Sequence, residues 1–355
     1  MVPEKTSRLF YADILRALAI YAVIILHNAA DYDEQLGDIP ASHWWAGVIW
    51  NGLVRFCVPM FVAMSGAFLL RPGKEGLLKE VFWKRLPKIV IPLVAWSLIY
   101  ILFDGYFSES GIRSINWLAK GKEFYQGPVA YHLWFLYMMV GIYLLYPVIN
   151  LFLSVAKPVH IRYFLLVWFF SNCVIKILDM ITGTTFGIEN NFFADYVGYF
   201  VLGYYLVNHT FTRSQLQIGY VLGVCGFLIS IFTSYLCVHF NYEKRAVLIE
   251  SDFTPDIALC VTALILWFKY RQYNDTKPGM VQKVISQVSK ESFGIYLVHV
   301  LVMQFVFSDN RTYSDTLENW HPGWAIPLKS LIVLSISYVI VKIIRLVPGL
   351  KKIVG

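Results

Sequence analysis

The feature that most constrains this chain is a succession of apolar runs, each about as long as a helix that crosses a lipid hydrocarbon core. Roughly 20 apolar residues are enough, at about 1.5 Å of rise per residue. Ten stretches meet or approach that length: 9–30, 46–70, 87–106, 132–153, 161–178, 192–208, 216–239, 253–270, 291–309 and 324–346. The fifth and sixth are short or interrupted by polar residues. Lipid offers no partner to a bare backbone amide, so runs of this kind become helices rather than open strands. Composition agrees: 57% of the 355 residues are hydrophobic and 15% are charged, against about a quarter charged in soluble domains. The mean hydropathy is +0.57. The sequence predicts an all-α, polytopic membrane helical bundle of about ten transmembrane helices. It is read as a single domain over 1–355, with no separate soluble domain.

Orientation follows from where the cations fall. With the N-terminus in the cytoplasm, the inner segments collect 20 of the 30 Lys and Arg and the outer segments 8; Arg16 and Arg55 lie inside helices. The richest inner segment joins the second and third runs and holds Arg71, Lys74, Lys79, Lys84, Arg85 and Lys88. Acids crowd the first outer loop at Asp31, Asp33, Glu34 and Asp38. Both termini are therefore expected to be cytoplasmic, and the net charge of +7 is not a nucleic-acid footprint. The N-terminal run, after Lys5 and Arg8, lacks a small-residue exit and is expected to stay as a helix rather than be cleaved.

Some chemistry has no support. Cys57, Cys173, Cys225, Cys237 and Cys260 all lie in apolar segments without a CxxC or Cys/His cluster, so they read as small fillers, with neither a disulfide framework nor a metal site expected. HExxH, Walker, GxSxG and GxGxxG patterns are absent, which leaves zinc hydrolysis, ATP use and dinucleotide chemistry unsupported. Segment 107–131 is too polar to span; Ile115, Trp117, Leu118 and Phe124 suit it to the membrane interface.

The first run, RLFYADILRALAIYAVIILHN, carries three polar groups that lipid should exclude: Asp13, Arg16 and His27. At 100° per residue, Arg16 and His27 are about 20° from eclipsed and about 16 Å apart along the axis, with Asp13 about 40° away. All three project from one helix face. Asp13 and Arg16, three residues apart, are able to pair as a structural ion pair, and His27 to bond a backbone carbonyl. A shared polar face inside a membrane points instead to function. Arg55, about ten residues inside the second run, is too deep for snorkelling to explain and reads as a binding or catalytic-support residue. Pro59 and Ser65-Gly66 in the same run are able to bend it or admit a close helix contact. The basic connection is either topogenic charge in contact with anionic lipid or a clamp for the phosphates of a cytosolic cofactor, with Lys84, Arg85 and Lys88 as donors. His132 opens the fourth run and His299 sits near mid-depth of the ninth. Each is a bonded structural histidine or part of a site. His43, His160, His209, His239 and His321 fall at interfaces or in loops.

In this order, YADILRALAIYAVIILHN, RFCVPMFVAMSGAFLL, KRLPKIVIP, YHLWFLYMMVGIYLLYPVI and ESFGIYLVHVLV resemble the blocks of the integral-membrane acyltransferase family 3. Within it the chain is similar to stand-alone O-acetyltransferases of bacterial surface polysaccharides, of the enterobacterial common antigen type. The resemblance runs from about residue 8 to 345. It implies a multi-pass enzyme of the bacterial cytoplasmic (inner) membrane. It also implies acetyl-CoA as the cytosolic donor, and a hydroxyl of an extracytoplasmic glycan or lipid-linked saccharide as acceptor. His27 matches the essential histidine of the first helix, Asp13 and Arg16 the polar pair before it, and Arg55 the arginine of the second helix. Ser65, with Gly66, matches a small-residue pair placed here on the cofactor side with Lys84, Arg85 and Lys88. His132 and Trp134 match the HLWFL block and His299 the ninth-helix histidine, all three read as substrate-binding. Ala67 departs from the pattern, where an aromatic residue often follows the Ser-Gly pair. No fused hydrolase-like domain is expected after the tenth run.

The mechanism expected from these residues keeps the coenzyme A nucleotide at the inner mouth and passes its slender pantetheine arm along Arg16 to His27. His27 then acts as general base on the sugar hydroxyl, or relays the acetyl group covalently. Arg55 or His132 is available to the oxyanion. The rival reading is a secondary transporter or flippase for a lipid-linked sugar, with the intramembrane Asp, Arg and His as ligands; the sequence shows no internal repeat in its favour. An inert membrane sensor is a third, argued against by the joint presence of His27, Arg16 and Arg55. Membrane lipids are the expected surroundings; neither a metal nor a nucleic acid is expected as partner.

Overall fold

The computed structural model describes residues 9–33, 35, 37–108, 111–182, 184, 195–239, 251–273, 279–307 and 320–355. Of the orientation-setting charges, Lys5, Arg8, Glu34, Lys244, Arg245, Lys277 and Arg311 lie outside them. The described residues form helices throughout and no β-strand. Among the described residues, seven stretches are long and apolar enough to cross a membrane: Phe10–Ala30, Ala41–Leu69, Leu77–Phe107, Tyr131–Val155, Arg213–Thr233, Met280–Phe307 and Pro322–Leu346. The other three expected spans fall on shorter pieces. Run 161–178 falls on α8 (Pro158–Phe169), a π turn (Phe170–Val174) and α9 (Ile175–Thr182); the remaining two fall on α10 (Asp195–Asn208) and α12 (Pro255–Lys269).

Contacts concentrate in two units, both assembled from non-consecutive stretches. The first takes Met1–Leu70, Ala156–Ser292 and Thr312–Ile332; the second takes Arg71–Val155, Phe293–Arg311 and Val333–Gly355.

In the first unit α1 (Phe10–Asp33) packs against α2 (Ala41–Val54) and α3 (Cys57–Leu69), α3 against α10, and α11 (Arg213–His239) against α12. The second apolar run is broken at Arg55-Phe56, between α2 and α3. Pro59 is the reason: it has no N–H to give the Arg55 carbonyl four residues back, and its ring crowds that carbonyl. The ladder resumes with Met60 N–H donating to the Phe56 carbonyl at 2.9 Å. Small residues then let α3 and α10 touch backbone to backbone. A Cβ on Gly66 would lie 1.7 Å from the Phe200 carbonyl oxygen, and one on Gly203 1.8 Å from that of Ala63. The expected close contact at Ser65-Gly66 is present.

Cys57, Cys173 and Cys260 are buried free thiols, as fillers should be; Cys225 is not, being exposed on α11. It belongs to a face with Ile218, Val221, Val224 and Leu228, each about 60% or more exposed. In lipid that face meets its proper solvent.

The second unit contains α4 (Leu77–Glu80), a π turn (Val81–Arg85), α5 (Pro87–Phe107), α6 (Trp117–Gln126) and α7 (Trp134–Val155). It also takes the second halves of α13 (Met280–Phe307) and α14 (Pro322–Leu346). The C-terminal 3₁₀ turn, Leu350–Ile353, docks on α5: the Trp96 indole donates to the Ile353 carbonyl at 2.8 Å and Val354 is fully buried. The polar segment 107–131 yields the amphipathic helix α6. Its C-terminal end is tied to α7, where the Tyr137 hydroxyl donates to the Phe124 carbonyl at 2.7 Å; Trp117, Leu118 and Tyr125 make an exposed edge. Ile115 does not join that exposed edge, because its side chain fills the space beside Gly105.

Candidate active site

In the first unit the polar seam of α1 is held by neighbours distant in sequence. Asp13 is buried and accepts from the Ser286 hydroxyl at 2.7 Å and the Ser289 hydroxyl at 2.8 Å, both on α13. Two charge-assisted bonds offset part of the cost of burying a carboxylate. Arg16 is partly buried, with its guanidinium 5.0 Å from the centre of the Phe68 ring on α3, a cation–π geometry. His27 is partly buried near the far end of α1.

The backbone that carries His27 is pinned to α14. The Asn28 amide donates to the Ser330 hydroxyl at 3.0 Å, and that hydroxyl donates to the Ile326 carbonyl at 2.8 Å. About two helical turns back, the Tyr21 hydroxyl donates to the Pro327 carbonyl at 2.9 Å. Pro327 cannot donate to the Gly323 carbonyl; the Trp50 indole does so instead, at 3.2 Å.

Arg55 occupies the break between α2 and α3. Its Nε donates to the Asn51 side-chain oxygen at 2.8 Å, with Asn51 itself buried. It also lies within electrostatic reach of two carboxylates, Asp252 and Asp256. Asp252 accepts from the Tyr196 hydroxyl at 2.6 Å, and its backbone carbonyl accepts from Tyr199 at 2.7 Å. Burial pushes the Asp252 carboxyl up to about 6, against the opposing effects of the Tyr196 hydrogen bond and the Arg55 charge. Ser65, on α3, gives its hydroxyl to its own helix, at the Phe61 carbonyl, 2.8 Å away.

In the second unit the structure brings together two histidines that are 167 positions apart. His132 and His299 are both buried and meet edge to face, ring centres 5.3 Å apart. Tyr100 and Tyr296 flank His132, with ring centres 4.9 Å and 5.7 Å away. The Tyr296 hydroxyl donates to the His132 carbonyl, and Tyr100 to that of Leu297 at 3.0 Å. His299 Nδ1 faces the Tyr296 carbonyl at 2.5 Å. A carbonyl only accepts, so Nδ1 carries the hydrogen and Nε2 is the basic nitrogen of the neutral ring. Trp134, next along the chain but one, is 36% exposed.

The basic connection belongs to the same unit. Lys84 and Lys88 are exposed and able to receive phosphate oxygens. Arg85 is engaged: its Nε lies 3.0 Å from a Glu80 carboxylate oxygen, and Lys74 pairs with the other oxygen.

Sequence reasoning missed Ser286, Ser289, Asn51, Asp252, Asp256, Tyr296 and Glu80. Only Asp252 and Asp256 carried a signal, as acids at the start of an apolar run. A family model described as an acyltransferase domain matches residues 9–342. No curated protein and no solved structure matched the chain.

Proposed function

The chain belongs to acyltransferase family 3, and from that premise we propose that it moves an acetyl group from cytosolic acetyl-CoA to a hydroxyl of an extracytoplasmic glycan or lipid-linked sugar. That it is a multi-pass membrane acyltransferase follows from the family and from its spanning helices. Donor, acceptor and residue roles are the proposal. The observation that carries it is the family match across almost the whole chain, which takes in a helix whose one polar face bears an acid, an arginine and an imidazole.

His27 takes the proton of the acceptor hydroxyl as its oxygen attacks the thioester carbonyl. The oxyanion then collapses, the carbon–sulfur bond breaks, and the imidazolium returns its proton to the leaving thiolate. Imidazole suits both transfers because its ordinary pKa lies near neutrality. Transfer through an acetyl-imidazole on His27 is the covalent variant of the same role. Arg55 is the fixed cation for developing negative charge, Arg16 lines the path of the donor's pantetheine arm, and Asp13 is the anchor that orients the helix carrying Arg16 and His27. Lys84, Arg85 and Lys88 receive the phosphates of the donor, with Ser65 on the same donor side. His132, His299 and Trp134 contact the acceptor.

The test is transfer of radiolabelled acetyl groups in liposomes containing the purified protein, acetyl-CoA and candidate glycans, with His27→Ala alongside. Labelled glycan from the native protein and none from the variant is expected. Equal transfer by both removes His27 from its role, and movement of sugar without covalent product favours the transporter.

A further inference from the structure

We propose that the inner ends of α11 and α12, in the first unit, form a binding site for one anionic phospholipid, with Arg213 and Arg271 on its headgroup phosphate. The site goes beyond acyl transfer and uses none of the residues assigned to it.

The two helices pack closely enough to fix their register. A Cβ on Gly223 would lie 2.1 Å from that of Ala263, and one on Gly219 3.2 Å from the Leu266 side chain. Continued antiparallel, that register brings the start of α11 level with the residues just past Lys269. A hydrogen bond ties the two ends directly, the Phe211 backbone N–H donating to the Tyr270 hydroxyl at 2.8 Å. Arg213 opens α11 and Arg271 follows α12, and both are exposed. The Arg271 guanidinium lies 4.5 Å from the centre of the Trp267 ring, and Trp267 meets Tyr220 of α11 edge to face at 5.3 Å. Arg213 and Tyr220 are seven residues apart, so they share one helix face to within about 20° and stand about 10 Å apart along the axis. Farther along that face Val224 is 61% exposed, beside Val221 at 63% and Leu228 at 62%.

Along this edge the chemistry changes in the order that a phospholipid does. Guanidiniums come first, then a Trp–Tyr pair of the kind that settles at headgroup level, then aliphatic side chains. Stacking on Trp267 holds the Arg271 fork flat and leaves its N–H groups to phosphate oxygens. Lys269 is excluded from the site, because its Nζ donates to the carbonyls of Leu206 at 2.8 Å and His209 at 2.5 Å and so closes the end of α10. Among the described residues, 208–217 and 266–273 contain no Asp or Glu, so an anion meets no like charge from either helix end. Two arginines held at one level repel each other, and an anion between them relieves that repulsion. A soluble phosphate would leave the aromatic and aliphatic steps below the arginines uncovered, whereas acyl chains cover both. The cation bias assigns these ends to the cytoplasmic side, where basic sites between helices recognise anionic headgroups.

The full chain in neutral detergent is titrated with phosphatidylglycerol, phosphatidylcholine or inorganic pyrophosphate. Native mass spectrometry counts bound lipid, and thermal unfolding reports the folding of each variant and any effect of the soluble anion. The native protein is expected to hold one phosphatidylglycerol in clear preference to phosphatidylcholine. Arg213→Gln and Arg271→Gln are each expected to weaken it about fivefold, the usual effect of one cation beside an anionic lipid surface. Arg271→Lys, which keeps the charge and loses the flat fork, is expected to lose less. Lys351→Gln removes an exposed cation from the second unit and should bind as the native protein does. A loss in Lys351→Gln as large as in the arginine variants reduces the site to diffuse charge and overturns the proposal, as does unchanged binding in both arginine variants. Pyrophosphate that displaces the lipid, and stabilises the native protein but neither arginine variant, gives the arginines to a soluble phosphate and also overturns it. Should Arg271→Gln fail to fold, Arg213→Gln decides alone. None of these readouts involves acyl transfer, so the donor and acceptor reading stands or falls separately.

Discussion

Replacing His27 by alanine is expected to lower acyl transfer by about 10²–10⁴-fold, the usual contribution of a positioned proton-transfer group; the radiolabel assay reads it directly. Asp13 tests a different property. Ser286→Ala with Ser289→Ala removes two donors from a buried carboxylate and is expected to cost about 2–4 kcal/mol. A thermal midpoint equal to that of the native protein would show that these bonds do not hold α1 in place. Asp252 yields a pH dependence. Its carboxyl titrates near 6 in the folded chain and near 3.8 unfolded. Between those values the folded protein keeps a proton that the unfolded chain has released. Stability from this group is therefore full below about pH 4, is lost as pH rises through 6, and is level above, a change of about 3 kcal/mol. Thermal unfolding in detergent across pH 4–7 should show this slope in the native protein and a flatter profile in Asp252→Asn. Legibility at this scale was uneven. His27, Arg16 and Arg55 stood out because a membrane should exclude them. Ser286 and Ser289 did not, because a serine in a helix has no periodicity and its partner lies more than 270 positions away.

Helices were readable where length and polarity coincide, as in α1, α7 and α14, whose apolar runs exceed 20 residues. The break at Arg55 was half legible: Pro59 announced a bend, yet nothing in the sequence said that Arg55 would sit in it and reach Asn51. The crossing of α3 and α10 makes a sharp prediction. Gly66→Ala places a methyl carbon where the Phe200 carbonyl stands, so the helices must separate, at a cost of about 1–3 kcal/mol or more. A lowered unfolding midpoint is expected, and an unchanged one would contradict the backbone contact. Runs 192–208 and 253–270 contain the shorter helices α10 and α12, since an apolar run reports burial without setting the length of the helix that carries it.

For the molecule as a whole, cation bias predicts which connections share a side. In a cysteine-free chain, single cysteines at Lys74 and Lys351 should react with an impermeant maleimide only from the cytoplasmic side, and one at Lys120 only from the outside. Labelling of the Lys351 site from the outside alone would reverse the cytoplasmic assignment of the C-terminus. The sequence alone determined that this chain is helical and crosses a membrane, because hydropathy acts locally and lipid leaves the backbone no other way to satisfy its amides. It also marked which charges are too costly to be incidental. Only the tertiary structure decided what those charges meet: serines for Asp13, an aromatic face for Arg16, Asn51 and two carboxylates for Arg55, a second histidine for His132, and Glu80 for Arg85. Such pairings depend on which helix faces pack together, and the pattern along one run specifies its own apolar face without naming the face that covers it.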